Sequence, residues 1–163
     1  MESKLFIYTH SKGNVDYYKV NPLVEIYVDA IDLETGKIEP KRVLGYTIHR
    51  DLDMYKVTDT KNRFKPFWVS EDHSLIAYDN EQNKLLKVSP LDILACPERF
   101  SLVQKTSDGI RYIPCTEINI DYDPTETCAA DLTVEDYTTF ATADGVFVQD
   151  TMAVYRPLTK AAI

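Results

Sequence analysis

The stretch DLTVEDYTTFATADGVFVQDT, residues 131–151, decides the fold that we expect for this chain. Apolar residues alternate with polar ones at its start, at Leu132 and Val134, as in a half-buried β-strand. Asp144 and Gly145 form a pair that tolerates positive φ and therefore predicts a turn. Residues 146–148, Val-Phe-Val, then predict a short buried strand. The stretch as a whole predicts a pair of strands joined by a turn.

Similar short apolar segments recur along the rest of the chain. They predict strands at residues 5–8, 24–32, 38–49, 54–59, 64–70, 74–78, 84–88, 99–104, 112–114 and 116–122. Ser89-Pro90 opens a short helical segment, with the proline at the position where a helix tolerates it best. Many short strands with one helical turn are typical of a mostly β domain.

The composition narrows the class of protein. The 163 residues are 44% apolar, which suits one folded domain with its own core. The formal charge of −8 argues against a general nucleic-acid-binding surface, and no apolar run is long enough to predict a membrane span. Cys96, Cys115 and Cys128 show no CxxC spacing, which disfavours a disulfide framework and a zinc site. We expect three buried thiols in a reducing, cytoplasmic compartment of a phage or bacterial host.

A second informative stretch is VSEDHSLI, residues 69–76. A Ser or Thr, two residues, and then His before an apolar strand resembles the second splicing motif of inteins, with Ser70 and His73 in those positions. Residues 131–151 resemble the C-terminal splicing motifs of the same family: a DLTVED strand, a turn, GVFV, two polar residues and a hydroxyl residue. The resemblance extends over residues 20–150, in the right order.

The resemblance implies an all-β, horseshoe-like intein (Hint) fold with one or two short helical turns over residues 1–150. It implies protein splicing, a single-turnover autocatalytic rearrangement of peptide bonds, without a cofactor or a metal. In the family pattern His73 contacts the upstream junction and protonates the departing amide nitrogen. Ser70 donates to the oxyanion or orients His73, and Thr151 is the acyl acceptor. Asp131 matches an acidic residue that assists proton transfer; the alternative is a solvated charge at a strand end.

Three positions depart from the family pattern. Inteins usually end in His-Asn, whereas this sequence has Gln149 and Asp150 there. Thr138 stands where many inteins have a His that helps the last step. An Asn breaks the downstream bond through its amide nitrogen, and Asp150 has no such nitrogen.

The family's first strand, with its upstream nucleophile, has no counterpart in this sequence. The resemblance is therefore to the C-terminal part of an atypically split intein, whose partner is a short N-terminal intein peptide. Residues 151–163, TMAVYRPLTKAAI, resemble the segment after the catalytic aspartate loop of the largest subunit of multisubunit RNA polymerases, and we interpret them as a C-extein. The expected partners are thus the peptide and extein sequences, with no nucleic acid or membrane.

Two alternatives stay open: a non-catalytic β domain of a polymerase-like protein, and an autoprocessing domain that cleaves without ligating.

Overall fold

The computed structural model describes residues 5–72 and 74–149, so His73, Asp150 and Thr151 lie outside the described residues. The strands and helix in this part of the chain are β1 Phe6–Lys12, β2 Val15–Val20, β3 Tyr27–Ile31, β4 Ile38–His49, β5 Met54–Asp59, β6 Phe67–Ser70, β7 Leu75–Asp79, β8 Lys84–Val88, α1 Pro90–Ala95, β9 Phe100–Thr106, β10 Gly109–Pro114, β11 Ile118–Tyr122, β12 Ala129–Val134, β13 Thr139–Ala141 and β14 Phe147–Gln149. Two single 3-10 turns occupy Pro97–Arg99 and Cys115–Glu117. The predicted all-β class with short helical turns is confirmed.

The strands form three antiparallel sheets. One has the order β1-β2-β4-β12, with β3 also paired to β4; the second has the order β10-β9-β7-β14-β13, with β8 on β7; the third is β11-β5-β6. The helix α1 begins as its sequence predicts, because Ser89 and Asp92 form a capping box and Pro90 follows the cap.

The second sheet is buried on both faces. Leu75 and Ala77 of β7 pack into one apolar cluster, whereas Ile76 between them packs into another. Successive residues of a strand point to opposite faces, so β7 divides its side chains between the two clusters. Val148 and Phe147 of β14 divide in the same way. A sheet covered on both faces explains why these strands are continuous apolar runs rather than alternating ones.

The twelve-residue strand β4 holds the first sheet together. Its first part pairs with β3, and its second part pairs with β2 on one edge and β12 on the other. Gly45 lies where β2 crosses closely, since a Cβ there would collide with the carbonyl oxygen of Tyr18. The close approach of two backbones therefore requires glycine at this position.

The C-terminal stretch differs from the predicted strand pair in one respect. Its first strand, β12, pairs with β4 in the first sheet, and the hairpin is formed by β13 and β14. The chain leaves the first sheet at Asp136, which has a φ of 66°. Lys41 lies 3.7 Å from the Asp136 carboxylate, and the Tyr137 hydroxyl donates to Glu39 at 2.7 Å. A non-glycine residue in the left-handed region gives little sequence signal, which is why the crossing was missed.

A buried carboxylate fixes the end of β7. Asp79 is fully buried and accepts hydrogen bonds from Nε and Nη2 of Arg99 at 3.1 and 2.8 Å. The backbone amides of Glu81 and Gln82 also donate to it. The Arg99 guanidinium, with these amides, lowers the pKa of Asp79 to about 2.

We expect the Asp79 pair to stabilise the fold above about pH 4 and to lose that effect toward pH 2. An unfolded Asp binds its proton near pH 3.9, whereas folded Asp79 does so near 2, so the unfolded chain takes up the proton first as the pH falls. The measurement is the free energy of unfolding in urea at several pH values between 4 and 2. In Asp79→Asn this free energy should fall less steeply with decreasing pH than in the parent chain. Asp108→Asn, at an exposed loop position, is the control. Equal slopes for Asp79→Asn and the parent chain would contradict the assignment.

Candidate active site

A cavity of about 380 Å³ lies between strands β6 and β12. Met54, Phe67, Val69, Phe140 and Val148 give it an apolar lining. Three of the predicted site residues line the same cavity: Ser70, Asp131 and Gln149. They come from three different sheets or sheet edges, and the fold brings them to one place.

Hydrogen bonds to backbone carbonyl oxygens connect β6, the turn after it and the C-terminal strand β14. Ser70 is the last residue of β6, and its carbonyl oxygen accepts a hydrogen bond from the Ser74 hydroxyl at 2.8 Å. The Ser74 carbonyl in turn accepts from the Gln149 amide at 2.9 Å. At the adjacent position of this antiparallel pair, Val148 of β14 pairs with Leu75 of β7. The segment that flanks position 73 therefore lies directly beside the end of β14.

Gln149 is buried and held by a hydroxyl. Its Oε1 accepts a hydrogen bond from the Thr138 hydroxyl at 3.3 Å, and Thr139 pairs with it across the hairpin. Thr138 thus stands next to Gln149 at the end of β14, at the position where the family resemblance predicts a histidine. A hydroxyl and an amide fill this corner, and neither exchanges a proton near neutral pH.

Asp131 is a buried residue, with 9% of its surface exposed. It lies on β12 opposite Thr47 of β4, and its side chain faces the cavity lining. Its Oδ2 is 3.5 Å from Nε2 of His49. The alternative of a solvated charge at a strand end is therefore wrong.

His49 is a site residue that the sequence reasoning missed. It is 5% exposed, and its Nε2 lies 3.0 Å from the Thr47 hydroxyl. Burial lowers the pKa of His49, and the negative charge of Asp72 offsets part of this effect. The two-residue spacing of Thr47 and His49 could have indicated this contact, because alternate residues of a strand share a face. A histidine that ends a predicted strand, on the face of a threonine, marks that face as polar.

His73, Asp150 and Thr151 lie outside the described residues, and their roles stay predictions. Over residues 5–72 and 74–149, no group of three or more His, Cys, Asp or Glu side chains is placed to hold a metal ion. In the same part of the chain, no helix is both long and apolar enough to cross a membrane.

The fold is the Hint fold of inteins. The chain is similar to an intein from a hyperthermophile, with a TM-score of 0.69 and 17% identity over 89% of this chain and 83% of that one. It is also similar to the PabCDC21-1 intein, with a TM-score of 0.65 and 21% identity over 85% of this chain and 76% of that one. A third similar structure is a variant of the AceL NrdHF class 3 split intein, with a TM-score of 0.59 and 15% identity over 84% of each chain. No protein-family model and no curated protein matches the sequence.

The three cysteines differ in exposure, so the expectation of three buried thiols is confirmed only for Cys115 and is wrong for Cys96 and Cys128. Cys115 is buried, Cys96 is half-buried, and Cys128 is exposed in the wall of the cavity. Burial raises the pKa of Cys115 to about 12. Burial and the nearby Glu98 carboxylate raise the pKa of Cys96 as well. The strand pattern around residue 128 gave no hint of this, because Cys128 directly precedes β12 rather than lying in it.

We expect Cys128 to react first with one equivalent of a maleimide. The thiolate is the reactive form, so an exposed thiol is modified before one whose pKa is raised by burial. Peptide mapping by mass spectrometry should find the label at Cys128, then at Cys96, and at Cys115 only after unfolding. Cys128→Ser is the matched control and should slow the first phase of labelling. Label on Cys115 in the folded chain would contradict the structure.

Proposed function

We propose that this chain performs protein splicing in trans, as the C-terminal part of a split intein that spans residues 1–150 and precedes a C-extein, residues 151–163. The observation that carries this proposal is the single cavity that Ser70, Asp131 and Gln149 share. Splicing requires both junctions to meet at one site, because the acyl group passes directly from one to the other. The similarity of the fold to solved inteins supports the same assignment.

The cavity fits a peptide that adds as a β-strand. Within the described residues β6 pairs only with β5, and β12 pairs only with β4, so each is the edge of its sheet. Unpaired amides and carbonyls on such edges bind an extended peptide by strand addition. The apolar lining and the half-exposed ring of Trp68 give alternate side chains of that peptide a surface to pack against. The partner is a short N-terminal intein peptide that carries the upstream nucleophile.

The chemistry follows in three transfers. The nucleophile of the peptide attacks the carbonyl that precedes it, and His73 protonates the departing amide nitrogen. Thr151 then attacks the resulting ester or thioester, so that the N-extein acyl group moves to its hydroxyl oxygen. Ser70 supplies a hydrogen bond to the oxyanion, and Asp131 takes up the proton that the Thr151 hydroxyl releases. The Asp150 carboxylate attacks its own backbone carbonyl and closes a cyclic anhydride, which water then hydrolyses, and the Thr151 nitrogen leaves as an amine with a proton from solvent. This amine attacks the ester on its own side chain, forms the new peptide bond and returns a proton to the Thr151 hydroxyl oxygen.

We expect the chain mixed with such a peptide to yield the ligated exteins, and the chain alone to yield none. The test is mass spectrometry of the mixture over time, with a peptide whose nucleophile is replaced by Ala as the inactive partner. His73→Ala is the matched variant of the chain; it should bind the peptide but splice about 100- to 10,000-fold more slowly, the usual effect of a positioned acid–base group.

Binding is measured separately from chemistry by the reactivity of Cys128. The inactive peptide should protect Cys128, in the cavity wall, and leave the labelling of Cys96 unchanged. Hydrolysis of the peptide junction without ligation would instead indicate an autoprocessing domain. Neither protection nor any product would favour a non-catalytic β domain.

We expect Asp150→Asn to speed release of the C-terminal segment severalfold or more in the reconstituted complex. An Asn side chain attacks its own carbonyl through nitrogen and forms a succinimide. The Asp carboxylate, ionised at neutral pH with a reference pKa of about 3.9, can only form an anhydride. Neither Gln149 nor Thr138, which hydrogen-bond to each other, can act as an acid or base for this step.

The released peptide is quantified by mass spectrometry at intervals, with Asp150→Ala as the control that cannot cyclise at all. Equal or slower release from Asp150→Asn than from the parent chain would mean that the site is built around a carboxylate, and that the last step has been misassigned.

A further inference from the structure

The cavity between β6 and β12 is lined by negative charge. Glu126, which is half-buried, and the buried Asp131 are its charged lining residues in the part of the chain that the structure describes. A cavity of similar size, beside β9 and β13, differs in this respect. It is lined by Lys105, which pairs with Asp29 at 2.9 Å. The lining of the first cavity contains no such positive charge among the described residues.

Three further carboxylates lie around the end of this cavity that Met54 lines. Asp53 directly precedes Met54, and the amide of Asp123 donates to the Met54 carbonyl at 2.9 Å. The Glu71 amide donates to the carbonyl of Asp53 at 3.2 Å, and the Glu126 amide donates to that of Asp123 at 3.3 Å. Backbone bonds therefore hold four acidic residues close together. We call Asp53, Glu71, Asp123 and Glu126 the acidic rim.

Neutral groups donate the hydrogen bonds that the acidic rim accepts. A neutral donor stabilises a carboxylate but does not cancel its charge. Among the described residues, no lysine or arginine forms an ion pair with any of the four carboxylates. The donors include Nε1 of Trp68 to Asp123 at 2.9 Å, the Tyr122 hydroxyl to Asp53 at 3.2 Å and the Cys128 amide to Glu126 at 3.3 Å.

Lys56 and Arg50 lie near the cavity, but each has another partner. Nζ of Lys56 lies over the Trp68 ring, 5.5 Å from its centroid. Arg50, whose charge is felt at Cys128, pairs with Asp16 of β2. The negative charge of the acidic rim is therefore available to a bound molecule.

We propose that the strand bound between β6 and β12 is basic, with Lys or Arg side chains that pair with the acidic rim. This rests on the proposed function, because it gives the charge of the N-terminal peptide. The site is the cavity with its two unpaired strand edges, and the carboxylates decide which charge its occupant carries.

Two physical effects favour a basic strand. A bound strand takes water away from the half-buried Glu126, and an opposite charge offsets the cost of that burial. Before contact, a cleft lined by charge of one sign attracts the opposite charge and speeds association. The formal charge of −8 on the whole chain acts in the same direction.

The test uses three synthetic peptides, each about ten residues long and without a nucleophile, that can add as a strand. All have valine at alternate positions, and the positions between carry lysine, glutamate or serine. We expect the lysine peptide to bind about tenfold more tightly than the serine peptide at about 50 mM salt, and the glutamate peptide to bind most weakly. Fluorescence anisotropy gives the affinities, and protection of Cys128 from maleimide shows that binding is in the cavity.

High salt is a second readout that needs no variant. About 500 mM salt should weaken the lysine peptide more than the serine peptide, because it screens exposed charges. Equal affinities of the lysine and glutamate peptides, or no binding by any of the three, would overturn the proposal.

A pair of double variants separates the acidic rim from the net charge. Glu71→Gln with Glu126→Gln should weaken the lysine peptide about tenfold, the effect of losing two ion pairs at the surface, and leave the serine peptide unchanged. The control, Glu34→Gln with Asp108→Asn, removes the same charge at two exposed positions in other turns. Equal weakening by both double variants would mean that net charge alone attracts the peptide, and the proposal would fail.

The same peptides with a nucleophile and an N-extein separate this proposal from the proposed function. A lysine peptide that binds in the cavity but gives no ligated product would refute splicing and leave the preference for a basic strand intact. A glutamate peptide that splices faster than its lysine counterpart would refute that preference and leave splicing intact.

Discussion

The backbone bond from the Gln149 amide to the Ser74 carbonyl is the constraint on which the site depends. It ties the end of β14 to the turn that follows β6, and the Ser74 hydroxyl ties that turn to Ser70. The bond from Gln149 to Ser74 lies at the end of two inner strands, β7 and β14, of the sheet that is buried on both faces, where Phe147 and Leu75 have no exposed surface. Buried backbone bonds in a packed sheet open rarely. The described residues on either side of position 73 are thus held beside the end of β14 by a bond in the buried sheet.

The other wall of the cavity has a different origin. β12 carries Asp131, and among the described strands it pairs with β4 alone. The long strand β4 is itself fixed by β2, whose backbone comes close enough at Gly45 to exclude a side chain. The cavity therefore lies between two supports, the double-covered sheet and the β4 framework, which are joined where the Thr139 hydroxyl bonds to the backbone of Ile31.

The sequence predicted most of the fold because strand signals are local. β4, β5 and β8 have the predicted bounds, and Ser70, Asp131 and Gln149 line one cavity. One failure was local, since no strand was predicted at Val15–Val20, where the structure has β2. The other failures were long-range or depended on burial. The turn at Asp136 sends β12 and β13 into different sheets, and a left-handed Asp carries no distinct signature. The sequence around Cys128 and His49 carries no signal for the exposure of the one or the burial of the other, because both depend on neighbouring strands.

The two supports have a consequence for how binding and chemistry are coupled in the proposed reaction. Among the described residues of the walls, Ser70 supplies a hydroxyl, Gln149 an amide and Asp131 a buried carboxylate. An unassisted Thr hydroxyl is a weak nucleophile at neutral pH. The reaction rate must then come largely from how the reacting groups are positioned, and this depends on the width of the gap between β6 and β12.

A strand bound to both edges sets that width, because neighbouring strands lie about 4.8 Å apart. The peptide thus brings the nucleophile and also fixes Ser70 of β6 relative to Asp131 of β12. Substitutions that loosen β6 or β12 should therefore slow acyl transfer more than they lower the stability of the chain. Neither strand belongs to the buried sheet that contributes most of the core.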